Sequence, residues 1–174
     1  MVPGIKRLAI LGSTGSIGQQ TLEVVRAFPG RFQIVALAGG QNISLLQEQV
    51  REFEPRLVSV ESDARGERIP RVTYLPLEEI AAHPDVELVV VATSGKAGLA
   101  PTLAAIRAGK MVALANKEVL VMAGEVVIAE AQRRQVEVLP IDSEHSAIWQ
   151  CLRGENKKDI ARLILTASGG PFRT

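Results

Sequence analysis

Short runs of apolar, often β-branched residues alternate along the chain with longer segments in which apolar residues recur at helical spacing. The runs predict strands at Lys6–Leu11, Phe32–Ala38, Leu57–Val60, Glu87–Ala92, Met111–Ala115 and Val136–Ile141. The helical spacing predicts helices at Ser16–Phe28, Ser44–Phe53, Leu77–Ala82, Gly98–Ala108 and Lys117–Arg133. Strands apolar throughout, such as Leu88-Val89-Val90-Val91-Ala92, are those expected when helices cover both faces of a parallel sheet. The fold class is therefore α/β, a doubly wound, mostly parallel sheet of the Rossmann-like kind. Past Ile141 the pattern changes: a helix over Ser143–Leu152, a polar stretch from Arg153 to Lys158, then a strand over Ile160–Thr166. The chain stops in the glycine-rich Ser168-Gly169-Gly170-Pro171-Phe172-Arg173-Thr174, an odd place for a domain to end. Truncation is the expectation, with a nucleotide-binding domain over 1–142 and the incomplete start of a catalytic domain over 143–174.

Length and composition narrow the function. A chain of 174 residues can bury roughly 70% of the surface its unfolded form exposes, so it needs no metal or disulfide to hold a core. Cys151 is the single cysteine, which rules out an intrachain disulfide and fits a reducing compartment. No apolar run approaches the ~18–20 residues of a membrane span, and the N-terminus lacks the order of segments of a secretory signal. A cytoplasmic protein with no membrane partner is expected. A net charge of +1 and a 3% aromatic content, without a basic block, argue against nucleic acid.

Directly after the first strand comes Gly12-Ser13-Thr14-Gly15-Ser16-Ile17-Gly18, leading into a helix. Strand, tight glycine turn and helix start stand in the order a dinucleotide pyrophosphate requires. Glycines let the backbone approach the phosphates, while N–H groups and the positive end of the helix dipole offset their charge. Ser13, Thr14 and Ser16 are expected to add hydroxyl donors. The spacing is GxxGxxG rather than GxGxxG, which departs from the commonest dinucleotide fingerprint. The competing reading is a turn that packs strand on helix and binds nothing.

At the end of the second strand, an NAD enzyme tends to place an acid against the ribose 2′-OH. Here the strand runs into Gly39-Gly40-Gln41-Asn42, with no acid in the segment. Gln41 and Asn42 can donate hydrogen bonds to a 2′-phosphate, which favours NADP. Asn42 or Ser44 is expected to cap the next helix in addition.

The sixth strand ends in Leu139-Pro140-Ile141, followed at once by Asp142-Ser143-Glu144-His145. Two carboxylates two residues apart on a strand-to-helix turn can converge on a hard divalent ion. They can equally cap the helix and favour its dipole. Asn116-Lys117-Glu118 follows the fifth strand on the same edge of the sheet. Lys117 there could neutralise charge developing on a substrate oxygen, whereas capping of the long helix explains Asn116 and Glu118 as well. His145 is expected near the site with no assigned step.

Several of these segments, joined by Pro101-Thr102-Leu103-Ala104-Ala105-Ile106-Arg107-Ala108-Gly109-Lys110 and the closing Ser168–Arg173 stretch, occur together and in order over essentially the whole chain. The sequence resembles the 1-deoxy-D-xylulose 5-phosphate reductoisomerase family, whose members are considerably longer. The resemblance implies NADPH-dependent isomerisation and reduction of a phosphorylated sugar to 2-C-methyl-D-erythritol 4-phosphate, in non-mevalonate isoprenoid biosynthesis. It implies Asp142 and Glu144 as ligands of Mg²⁺, Mn²⁺ or Co²⁺, with a third carboxylate beyond this chain. Lys117, Asp142 and Glu144 would be catalytic, and Ser143, Lys117 and Ser168 would meet substrate. Gly12, Ser13, Thr14, Gly15, Ser16, Ile17, Gly40, Gln41, Asn42, Asn116 and Glu118 would contact or border NADPH. A homodimer is implied for the longer protein, and no turnover for this chain alone. One departure stands out: family members often carry Lys or Arg where this sequence has Gln41, so the selectivity for NADP over NAD is weakened. A semialdehyde dehydrogenase-like reductase would need a nucleophilic cysteine on an exposed, electropositive loop. Cys151 instead falls in an apolar helical run, where a packed thiol is expected. A non-catalytic nucleotide-binding module is the other alternative, with the acids acting only as caps.

Overall fold

The computed structural model describes residues 4–60 and 69–164. Strands β1 (Lys6–Leu11), β2 (Phe32–Gly39), β3 (Leu57–Val60), β4 (Thr73–Tyr74), β5 (Leu88–Val91), β6 (Met111–Leu114) and β7 (Val138–Pro140) form one sheet. Its order is β4-β3-β2-β1-β5-β6-β7, and every neighbouring pair is parallel. The helices are α1 (Ser16–Ala27), α2 (Ile43–Phe53), α3 (Leu77–Ala82), α4 (Leu99–Arg107), α5 (Lys117–Arg134) and α6 (Ser143–Leu152). Short 3-10 turns stand at Gly95–Gly98 and Lys157–Asp159.

The unbroken apolar strands have the cause expected of them. Leu8 and Ile10 face the side covered by α1 and α2, with Leu22 and Leu46 against them. Ala9 and Leu11 face the opposite layer, with Ile80, Ile106 and Val127 of α3, α4 and α5. Each strand near the middle of the sheet therefore buries both of its faces. The chain order reverses around β1, whose neighbours are β2 and β5, and this opens the crevice at the carboxyl ends of those strands.

The structure adds one strand that the sequence pattern did not predict and lacks one that it did. The two-residue strand β4 has no apolar run of its own and forms by pairing Thr73 and Tyr74 with Leu57 and Val58. Conversely, Ile160–Ile164 form no strand, although apolar; Leu163 and Ile164 are exposed, and no described strand lies alongside to complete a ladder. Residues 165 and 166 of that expected strand lie outside the described residues. Pro140 closes β7 at the edge of the sheet, where the missing N–H costs no internal ladder bond. Helix α5 kinks at Ala123, and its exposed side carries Val121, Met122 and Val126. Among the described residues, no helix is long and apolar enough to cross a membrane.

A nucleotide cleft and an acidic pair

Past Leu11 the chain turns at Gly12 with φ +92°, a conformation that disfavours any side chain. A Cβ there would also stand 2.5 Å from the carbonyl oxygen of Ala92, at the end of β5. Gly18, in the first turn of α1, is pressed so closely on Gly12 and Ser13 that a Cβ would overlap their backbone. These two glycines seat the start of α1 on the end of β1. The N–H groups of Gly12 and Ser13 both donate to the Ala38 carbonyl, at 2.9 and 2.8 Å, which ties the loop to β2. No side chain caps α1 at Gly15, and its first turn carries no acid. The opening N–H groups of the helix are thus left for an anion, at the end the dipole makes positive.

Ser13 departs from expectation. Its side chain is fully buried, and its Oγ donates to Gln49 Oε1 at 2.7 Å while Gln49 Nε2 donates to the Ser13 carbonyl at 2.9 Å. The hydroxyl therefore fastens the loop to α2 and does not face a phosphate. Thr14 and Gly15 line the cleft, and Ser16 is exposed at the helix start.

That cleft holds about 460 Å³ and runs from the glycine loop past Gly39 and Gly40 to Ser59 and Val60, with the segment after β5 as its other wall. Its size is that of a small-molecule site. Gln41 and Asn42 are exposed at its rim. Asn42 caps α2, its Oδ1 accepting the Leu45 N–H at 3.1 Å. The amide nitrogen of Asn42 still has two hydrogens to donate.

At the end of β6, Asn116 is only 3% exposed and does not cap α5. Its Nδ2 donates to the Gly95 carbonyl at 2.8 Å, so it braces the 95–98 turn behind the cleft. Gly98 leaves room for that amide: a Cβ there would lie 2.5 Å from Nδ2. Thr93 Oγ1 and Asn116 Oδ1 are buried with no hydrogen-bond partner among the described residues. Lys117 and Glu118 are exposed at the start of α5.

Asp142 begins α6 without capping it; its Oδ2 lies 3.0 Å from His145 Nδ1. Glu144 accepts from Ser143 Oγ at 2.7 Å. That bond, the glutamate's own N–H and the nearby positive charge of Lys117 hold its carboxyl below the usual range. Lys117 and Asp142 line one cavity of about 250 Å³ with His145 and Trp149. Lys117 and Asp142 thus come together past the ends of adjacent strands, whereas Glu144 lines a separate cavity along α6 with Ile148, Cys151 and Leu163. Oxygen donors of this kind suit a hard divalent ion, which takes six or more of them. Among the described residues, no three His, Cys, Asp or Glu side chains gather for a metal. Ser168 lies outside the described residues.

Cys151 is exposed, contrary to the packed thiol expected, on a helix none of whose residues is buried. It remains on a helix flank, not on a loop. Sequence reasoning missed Ser59 and Thr93, which enter the cleft only because β3 and β5 flank the β2–β1 pair. Thr93 stands just past the apolar run of β5 and Ser59 inside that of β3, one residue before its carboxyl end, the one signal available.

The profile of the family described as 1-deoxy-D-xylulose 5-phosphate reductoisomerase matches residues 8–124, and that of its C-terminal domain matches residues 138–174. The reductoisomerase of Heliobacterium modesticaldum is 56% identical over 97% of this chain and 46% of its own length. The chain therefore spans about half of such a relative. The Zymomonas mobilis enzyme, solved in complex with NADPH, superposes with a TM-score of 0.85 at 37% identity, over 98% of this chain and 47% of that one. A DOX-P reductoisomerase solved with NADPH, fosmidomycin and magnesium gives 0.81 at 43% identity, over 84% and 39%.

Proposed function

The chain belongs to the 1-deoxy-D-xylulose 5-phosphate reductoisomerase family, and from that premise we propose that it is the NADPH-binding portion of an enzyme converting 1-deoxy-D-xylulose 5-phosphate to 2-C-methyl-D-erythritol 4-phosphate. The observation that carries this reading is one edge of the sheet bearing an uncapped helix start on a glycine turn and, past β6 and β7, Lys117 and Asp142 on one cavity, with Glu144 near enough for the lysine's charge to lower its carboxyl. When bound, NADPH would supply hydride and a divalent cation an electrophile for substrate oxygens.

The residues of this chain divide the remaining work. The opening N–H groups of α1 and the Thr14 hydroxyl hold the pyrophosphate, while Gln41 and Asn42 face the 2′-phosphate. Asn116 keeps the 95–98 turn in place behind the cofactor. Asp142 and Glu144 offer the metal its carboxylate oxygens, and Lys117 lies where negative charge on a substrate oxygen would develop. Ser143, released from Glu144, becomes a donor to substrate. The division at residue 142, the cytoplasmic setting and a homodimer of the longer protein belong to the same proposal.

Isosteric exchange in the full-length enzyme separates ligands from caps. Asp142→Asn and Glu144→Gln should each abolish most turnover while leaving the NADPH Kd within about two-fold, because only the carboxylate charge is removed. Retention of most activity would remove both acids from the metal site.

A further inference from the structure

Helix α2 buries Leu46, Gln49 and Val50. Leu46 and Val50 belong to the apolar layer on that side of the sheet, and Gln49, 3% exposed, brings an amide in beside them. An apolar side chain of the same length would fill the place without losing hydration, so packing alone does not ask for an amide there. Both ends of that amide go to one residue 36 positions earlier. Its Nε2 donates to the Ser13 carbonyl at 2.9 Å, and its Oε1 accepts from the Ser13 hydroxyl at 2.7 Å.

Ser13 is tied from the other side as well, since its N–H donates to the Ala38 carbonyl at 2.8 Å. The loop around it contains Gly12 and Gly15, and glycines leave a backbone many conformations of similar energy. The grip of Gln49 selects among them. It points the Ser13 carbonyl at α2, and in the trans peptide that joins Ser13 to Thr14 the N–H lies on the opposite side from the carbonyl. The Thr14 N–H is therefore turned away from α2 and bonds to no described residue, while Thr14 itself lines the cleft. A donor so presented adds to the open N–H groups of the α1 start, where an anion is held.

We infer that Gln49 is a positioning residue, which acts through Ser13 to fix the peptide whose N–H serves the pyrophosphate of NADPH. The inference rests on the cofactor reading above. Gln49→Met keeps the length of the side chain and removes both bonds, and Gln49→Leu removes them with a more compact apolar group. Titrated into this chain, NADPH and NADH should both bind about ten-fold more weakly to each variant, the factor of one hydrogen bond to a charged group. The factor should be the same for the two cofactors, because they share the pyrophosphate and differ only in the 2′-phosphate. An amide that merely braced the fold would lower the thermal midpoint and leave affinities measured well below it unchanged, and that result overturns the inference. So does a loss confined to NADPH, which would place the effect at the 2′-phosphate. Failure of the unmutated chain to bind NADPH overturns the cofactor reading itself, a result distinct from unchanged affinity in the variants.

Discussion

Gln41, exposed beside the cleft, supplies a dipole and not a charge. Charge-assisted hydrogen bonds are roughly twice as strong as neutral ones, so Gln41→Arg should tighten NADPH by about ten-fold and leave NADH nearly unchanged. Titrating both cofactors against the variant checks this. Equal effects on the two would show that position 41 does not face the 2′-phosphate. The glycine turn was legible from spacing because the φ of Gly12 and the crowding of Gly18 against Gly12 and Ser13 are local demands, although Gly12 also abuts the distant Ala92. Ser13 was not. Within a loop of small residues, nothing local separates a hydroxyl aimed at solvent from one aimed at Gln49, which lies 36 positions away. Asn116 and Asp142 were undecided between capping and a site role, and the structure removes the capping bond from both.

Between elements, the fold is held chiefly by apolar faces, which explains why strand and helix positions could be read from periodicity. Only β4 and the stretch after Ile160 escaped, because both depend on whether a partner strand lies alongside. Charged pairs add a smaller, pH-dependent contribution. Arg7 on β1 donates from its backbone N–H and its Nε to Glu87 beside β5, at 3.0 and 3.2 Å. Arg26 on α1 grips Glu52 on α2 at 2.5 and 2.6 Å and lies over the Phe53 ring. Glu87 is held below the usual carboxyl range first by the Arg7 N–H, and Glu52 first by the Arg26 side chain. Lowered folded values mean that these carboxylates stabilise the fold fully above their unfolded pKa, about 4.3, and lose that contribution as pH falls through the folded values. Both pairs are about 40% or more exposed, so each contributes no more than about 1 kcal/mol. Thermal melts from pH 7 to 3 should show a midpoint that declines below about pH 5, and in Glu52→Gln a shallower decline from a lower starting value. An identical slope in the variant would remove Glu52 from the account.

At the scale of the whole molecule, the two halves of the crevice have different standing. The cleft is lined continuously from the glycine loop on β1 across the ends of β2 and β3 to the segment after β5. The acidic pair stands at the edge of the sheet, without a third metal-holding side chain among the described residues, on a helix that buries nothing. The chain also spans about half the length of its relatives. Cofactor binding and turnover should therefore separate. The direct measurement follows NADPH fluorescence after mixing with an excess of the 174-residue chain, Mg²⁺ and 1-deoxy-D-xylulose 5-phosphate. An immediate change in signal, saturating with protein and then flat over time, is the predicted result; no change on mixing, or a steady decline as NADPH is consumed, would contradict it.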